Sequence, residues 1–118
     1  MIVRKIEGSP GNTVRIAVGN SAAGFAAGVL YKDGIEGERE VRNIAQELLI
    51  TVDSGSFKMR YAFNGISPTN TGNKIGHELG VGKSLMLRGW DQIQSFKHIN
   101  DVSGSVSVIQ VTPFYSGG

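Results

Sequence analysis

Phe57-Lys58-Met59-Arg60-Tyr61-Ala62-Phe63 alternates apolar and polar side chains. A period of two places Phe57, Met59, Tyr61 and Phe63 on one face and Lys58 and Arg60 on the other, as a half-buried strand requires. The run stops at Asn64-Gly65, a pair suited to the positive φ of a tight turn. Residues 13–18 repeat the pattern with Val14, Ile16 and Val18 inward, closed by Gly19-Asn20. Residues 47–53 and 84–88 add two β-biased runs, each followed within two residues by Ser or Gly. A further run covers residues 104–112. There Val106 and Val108 point opposite to Ile109 and Val111, so either both faces are covered or a bulge shifts the phase, and a bulge is the expectation. Shorter strand candidates are residues 4–6, 25–31 and 96–99. About seven or eight short strands separated by turn signals predict an all-β fold, an antiparallel sandwich of jelly-roll type.

One segment resists this pattern. Val41, Ile44, Ala45, Leu48 and Leu49 recur at helical spacing, which would give an amphipathic helix over 38–46. Leu48 to Val52 is β-biased and runs toward the Phe57 strand, which would make a compact hairpin through Asp53-Ser54-Gly55-Ser56. Both readings stand at this point.

The chain has 118 residues, room for one domain over 1–118. Glycine takes 17 positions, roughly twice the ordinary share of about 7%. Gly19, Gly34, Gly55, Gly65, Gly82, Gly89 and Gly104 fall where alternating runs stop, so the surplus suits many turns. Gly24 and Gly28, clustered after Gly19, have no strand boundary to explain them, which suggests an Ala/Gly-rich arm over 19–30. Cysteine is absent, excluding disulfides, thiol nucleophiles and Cys-ligated metals. Twelve Lys and Arg against ten Asp and Glu leave +2, scattered along the chain, so no nucleic-acid partner is expected. The most apolar stretch, residues 22–31, is about half the length of a membrane span, so no membrane partner is expected either. The first residues lack the apolar run of a signal peptide, and export by such a signal is not expected.

The motifs that could carry chemistry are weak. Gly76-His77-Glu78-Leu79-Gly80-Val81-Gly82-Lys83-Ser84 ends like a phosphate-binding loop, but its spacing is one residue too long and an alternating run follows where a helix should start. A glycine turn before a strand is the better reading. His77 and His98 are the only imidazoles and lack metal-ligand spacing, so no metal is expected, and His98 reads as a strand residue at a sheet face. No nucleophile elbow occurs, and nothing selects a carboxylate pair among Asp33, Asp53, Asp91 and Asp101. An enzyme is therefore not expected, nor a cofactor. Trp90, Tyr61, Phe114 and Tyr115 could form a sugar-stacking platform; the plainer reading puts Tyr61 in the core and Trp90 over a sheet edge.

The pattern Asn64-Gly65-Ile66-Ser67-Pro68-Thr69, then Gly76-His77-Glu78-Leu79, Val81-Gly82-Lys83-Ser84-Leu85, Leu87, Ile93, Phe96 and Ile99, ends in Ser105-Val106-Ser107-Val108-Ile109-Gln110-Val111. This pattern, over about half the chain, resembles small β-sandwich virion proteins of tailed bacteriophages, the capsid decoration or cement and head-fibre-like proteins. The resemblance implies a structural protein made in the host bacterial cytoplasm and displayed on the capsid surface of the virion. It implies the major capsid protein and further copies of the chain as partners, a homo-oligomer with a trimer favoured. A carbohydrate- or receptor-binding module, or a tail or neck connector on the same fold, are the rival readings. The contact candidates are Phe25, Val29 and Leu30 in the arm and Phe114 and Tyr115 near the end, read as apolar residues exposed beside glycine-rich segments.

Overall fold

The computed structural model describes residues 9–32 and 44–115. In chain order these form β1 (Ser9–Pro10), β2 (Val14–Val18), α1 (Ala27–Leu30), β3 (Ala45–Val52), β4 (Met59–Ala62), β5 (His77–Leu79), β6 (Ser84–Arg88), α2 (Trp90–Ser95), β7 (Lys97–Asn100) and β8 (Ser107–Tyr115). The expected strand at 4–6, Asp33, Gly34 and most of the 38–46 helix candidate lie outside the described residues.

The strands make two antiparallel sheets, so the all-β expectation holds. In the larger sheet β8 is central. It carries β1 and β2 end to end along one edge and β3 along the other, with β6 beyond β3. Alternation sorts the faces: Ser107, Ile109, Val111, Pro113 and Tyr115 are all buried while the residues between them are half-exposed. In register, Val111, Ile50 and Leu85 form one inward row, which Val14 extends to the exposed edge, and Pro113, Leu48 and Leu87 form the next. The smaller sheet runs β5–β4–β7 and turns Leu79, Met59 and Tyr61 toward the same core. Leu48, Ile50, Met59, Leu87, Ile93, Phe96 and Ile109 are fully buried, each contributing about 1.5–3 kcal/mol over an exposed position.

Pro113 explains the split between β1 and β2. Its carbonyl accepts the Gly11 N–H at 2.7 Å, so its nitrogen faces the same edge, where a proline has no proton to donate. The chain leaves the ladder there, and β1 resumes opposite Phe114 and Tyr115. A Cβ on Gly11 would stand 2.7 Å from the Tyr115 ring, so only glycine passes at this point.

Four local expectations are corrected. Asp53–Ser56 is no hairpin: β3 pairs with β6 and β8, β4 pairs with β5 and β7, and the turn carries the chain from one sheet to the other. β8 alternates without interruption, because Val106 lies in the preceding loop; the register shift is in β3, between Ala45 and Glu47. Residues 27–30 form one helical turn rather than a strand, with Tyr31 bridging Ile44 after it. Residues 44–46 are extended, against a helix reaching that far. The short helix α2 had no counterpart in the sequence reading. It fills the β6–β7 connection and buries Ile93 in the core.

Candidate functional site

The turns after β3, β5 and β7 meet at one end of the molecule, the end at which β4, β6 and β8 begin. Four large apolar side chains are exposed there: Phe57, Val81, Val102 and Val106, at 36–49% of full exposure. Large apolar side chains in mobile loops are commonplace, so the decisive question is how firmly this backbone is held.

It is held through backbone groups at or beside the exposed residues, several of them tied to the buried Asn100, Asp101 and Ser107. Lys58, after Phe57, gives its carbonyl to the Asp101 N–H at 3.1 Å and to the Ser107 hydroxyl at 2.7 Å. The fully buried Asn100 donates its amide to the Val102 carbonyl and to that of Ser105 at 2.5 Å, and its Oδ1, 2.6 Å from Ser107 Oγ, shares the single hydroxyl proton with Lys58 O. Ser107 directly follows Val106. On the other side, the Gly82 N–H donates to Val52 O and the Asp53 N–H to Val108 O, fixing the turn that presents Val81. Each exposed side chain thus sits beside a backbone group whose geometry is fixed, a pre-organised apolar surface.

Asp101 is the electrostatic centre of this end. It is fully buried and faces Arg60 Nε at 2.6 Å, Lys74 Nζ at 3.4 Å and Lys58 Nζ at 3.5 Å. Lys58 also pairs with Glu78 at 2.5 Å, which raises its own pKa. Burial pushes the Asp101 carboxyl up, but hydrogen bonds and charge from Arg60 and then Lys74 outweigh it and hold the carboxyl below its ordinary value. Arg60 Nη1 reaches Gly76 O at 2.7 Å and Lys74 Nζ reaches Asp101 O at 2.8 Å, so the same cluster clamps the 67–76 loop over the outer face of the small sheet. All of Asp101's partners are cations already engaged with it or with carbonyls. The arrangement is that of a structural ion cluster.

A second buried polar group lies on the inner face of β7. His98 is 4% exposed, and neither ring nitrogen has a hydrogen-bond partner among the described residues. Phe25 lies at 5.6 Å and Phe96 at 6.1 Å, and those two rings stack on each other at 5.2 Å. Burial lowers the His98 pKa to about 4. The backbone of His98 exchanges two hydrogen bonds with Ala23, so the residues before α1 run beside β7 as an extra edge.

The residues singled out in the sequence fall in different places. Val29 and Tyr115 are core, the Tyr115 hydroxyl donating to Val29 O at 2.9 Å; Phe25 and Leu30 pack against that core. The premise that these are exposed apolar residues does not hold for Val29 and Tyr115. Phe114 lies half-buried on the outer face of the large sheet. Tyr61 packs among core rings, Tyr115 is buried, and Trp90 rests against Tyr31 at 5.4 Å, so they do not assemble the coplanar exposed platform. Residues 77–79 are strand and 80–83 a turn into β6, so the region ending in Gly82-Lys83-Ser84 is a turn between strands. His77 is exposed and His98 buried, and among the described residues no three His, Asp or Glu side chains group as metal ligands. Compared with protein-family models, with curated proteins and with solved structures, the chain matches none.

Proposed function

We propose that this chain is a structural protein of a tailed-bacteriophage virion, a capsid decoration or cement protein that bridges neighbouring major capsid subunits without chemistry. The fold we infer for it is a jelly-roll sandwich, and its contact surface is the loop end bearing Phe57, Val81, Val102 and Val106. The observation carrying this reading is the combination at that end of exposed apolar side chains with backbone locked by Asn100, Asp101 and Ser107. A protein that binds a repeated lattice needs a rigid, modest patch, because many weak contacts add. Self-association, with a trimer favoured, would multiply that patch at a symmetry axis.

The test is retention on purified capsids. Phe57→Ser with Val106→Ser removes two apolar contacts, about 2 kcal/mol each if both are covered, and leaves folding stability within about 0.5 kcal/mol because both are exposed. Sedimentation with particles should drop sharply at unchanged Tm. Full occupancy by the double variant would reject the loop end as the contact. Density in a virion reconstruction separates the readings by copy number: hundreds per particle for decoration, about six or twelve for a connector.

A further inference from the structure

A cleft of about 470 Å³ opens on the outer face of the small sheet, between residues 20–22 and the 67–71 loop. Its floor is apolar, made by Ile99 of β7 and Pro68, both buried. Its rim is polar and wholly uncharged: Asn20, Thr69, Asn70 and Thr71 with two serines. In a chain where 19% of residues are charged, a cleft of this size without one charged lining residue selects against ionic ligands.

The two asparagines are oriented by their own bonds. Asn70 Nδ2 donates to Asn100 O at 2.9 Å and to Asn20 Oδ1 at 3.2 Å, which consumes both of its protons and leaves its Oδ1 as an acceptor. Asn20 Oδ1 also accepts the Gly104 N–H at 3.0 Å, so its own amide nitrogen is left as a donor. The network therefore fixes which atom of each amide is oxygen and which is nitrogen. Thr69 Oγ1 accepts the Ile75 N–H at 2.9 Å, which leaves its hydroxyl proton to donate. The rim thus offers one oriented acceptor and two donors above an apolar floor.

We infer that this cleft binds a neutral pyranose ring, whose hydroxyls would bridge the Asn20 donor and the Asn70 acceptor while its C–H face lies on Ile99 and Pro68. A diol offers both a donor and an acceptor within one bite, which the two oriented amides of the rim match, while buried Ile99 and Pro68 leave only a small apolar surface beneath the ring. The cleft is shallow, so affinity is on the order of 1 mM for a single ring. The inference stands apart from the capsid reading, since the cleft and the loop end share no lining residue.

The experiment is NMR titration of the full chain with methyl glucoside, methyl galactoside, methyl mannoside and N-acetylglucosamine, with glucuronate and glucosamine as charged counterparts. At least one neutral sugar should shift the amides of residues 20–22 and 67–71 in a saturable way, and the charged ones should bind more weakly. Asn20→Asp keeps the Oδ1 that holds Gly104 and Asn70 and replaces only the free donor; it should weaken binding about tenfold. Thr71→Trp fills the cleft from an exposed loop position and should abolish binding with the fold intact. Immobilised glycans assayed in parallel separate a free sugar from a terminal residue of a larger glycan. Saturable shifts confined elsewhere, equal binding by Asn20→Asp, or no neutral sugar bound would each overturn the assignment.

Discussion

His98→Leu should flatten the dependence of stability on pH between neutral and mildly acid conditions. The imidazole is lodged among Phe25, Phe96 and Tyr61 with neither nitrogen bonded, and no charged group on β4, on residues 23–26 or on the inner face of β7 approaches it. Its folded pKa of about 4 lies below the ordinary 6.5. The neutral form is therefore favoured by folding. This contribution is fully present above pH 6.5 and is lost as pH falls toward 4, because the unfolded chain takes up a proton that the folded chain refuses. One proton is worth about 1.4 kcal/mol per pH unit, so the wild-type chain should lose on the order of 3 kcal/mol across that window relative to the variant. At pH 7 the variant should be the more stable by about 1–2 kcal/mol, since an apolar side chain replaces a buried imidazole without partners. Urea midpoints read by Trp90 fluorescence at several pH values from 7.5 to about 4 measure both differences. Parallel pH curves for the two proteins would refute the reasoning.

Asp101 titrates in a different window. Its depressed carboxyl contributes stability above the ordinary value of 3.8 that is lost only as pH falls through its lower folded value, so His98→Leu should retain a steep acid limb below pH 4. Asp101→Ala strands the 14%-exposed Arg60 and should cost about 3–5 kcal/mol in denaturant melts, with Asp101→Asn milder because the amide still accepts from Arg60. Gly76→Ala meets Tyr61 O at 2.7 Å from a backbone at φ +113°, and its stability loss, about 2–4 kcal/mol, should show in Tm. Phe96→Ala removes the ring on which Phe25, Tyr61 and Phe63 pack and should cost about 3–5 kcal/mol with lost near-ultraviolet dichroism.

The strands were legible where alternation and burial agree. Residues 84–88 are β6 residue for residue, and of the expected inward face of β2 Ile16 and Val18 reach the core while Val14 stays exposed. Asn64-Gly65 takes positive φ at both positions. What failed was partner choice. A turn such as Asp53–Ser56 has the same local chemistry whether the chain returns beside itself or crosses to a second sheet, and the decision rests with residues 84–88 and 107–115 far along the chain. Alternation also continued past the strand at Phe57, which the fold exposes instead of burying. Lys58 and Arg60 were readable as a polar face, but their convergence on Asp101 follows from pairing β4 with β7, which no local pattern encodes. The Asn20–Asn70 pairing has the same origin. Asparagines in turns are ordinary, and only the meeting of two distant loops orients them.

The central place of β8 sets an order on synthesis. β2 and β3 are made early, yet each needs residues 107–115 to satisfy one of its edges: Val14 awaits Val111, and Thr51 awaits Gln110. A ribosome-bound chain therefore carries two open strand edges until nearly all of these residues have emerged, which lengthens the interval in which neighbouring nascent chains could pair with it. Distant pairing of this kind also slows the folding step itself. Brisk translation through the last strand, or a holdase on the early ones, would raise the soluble yield without altering the finished fold.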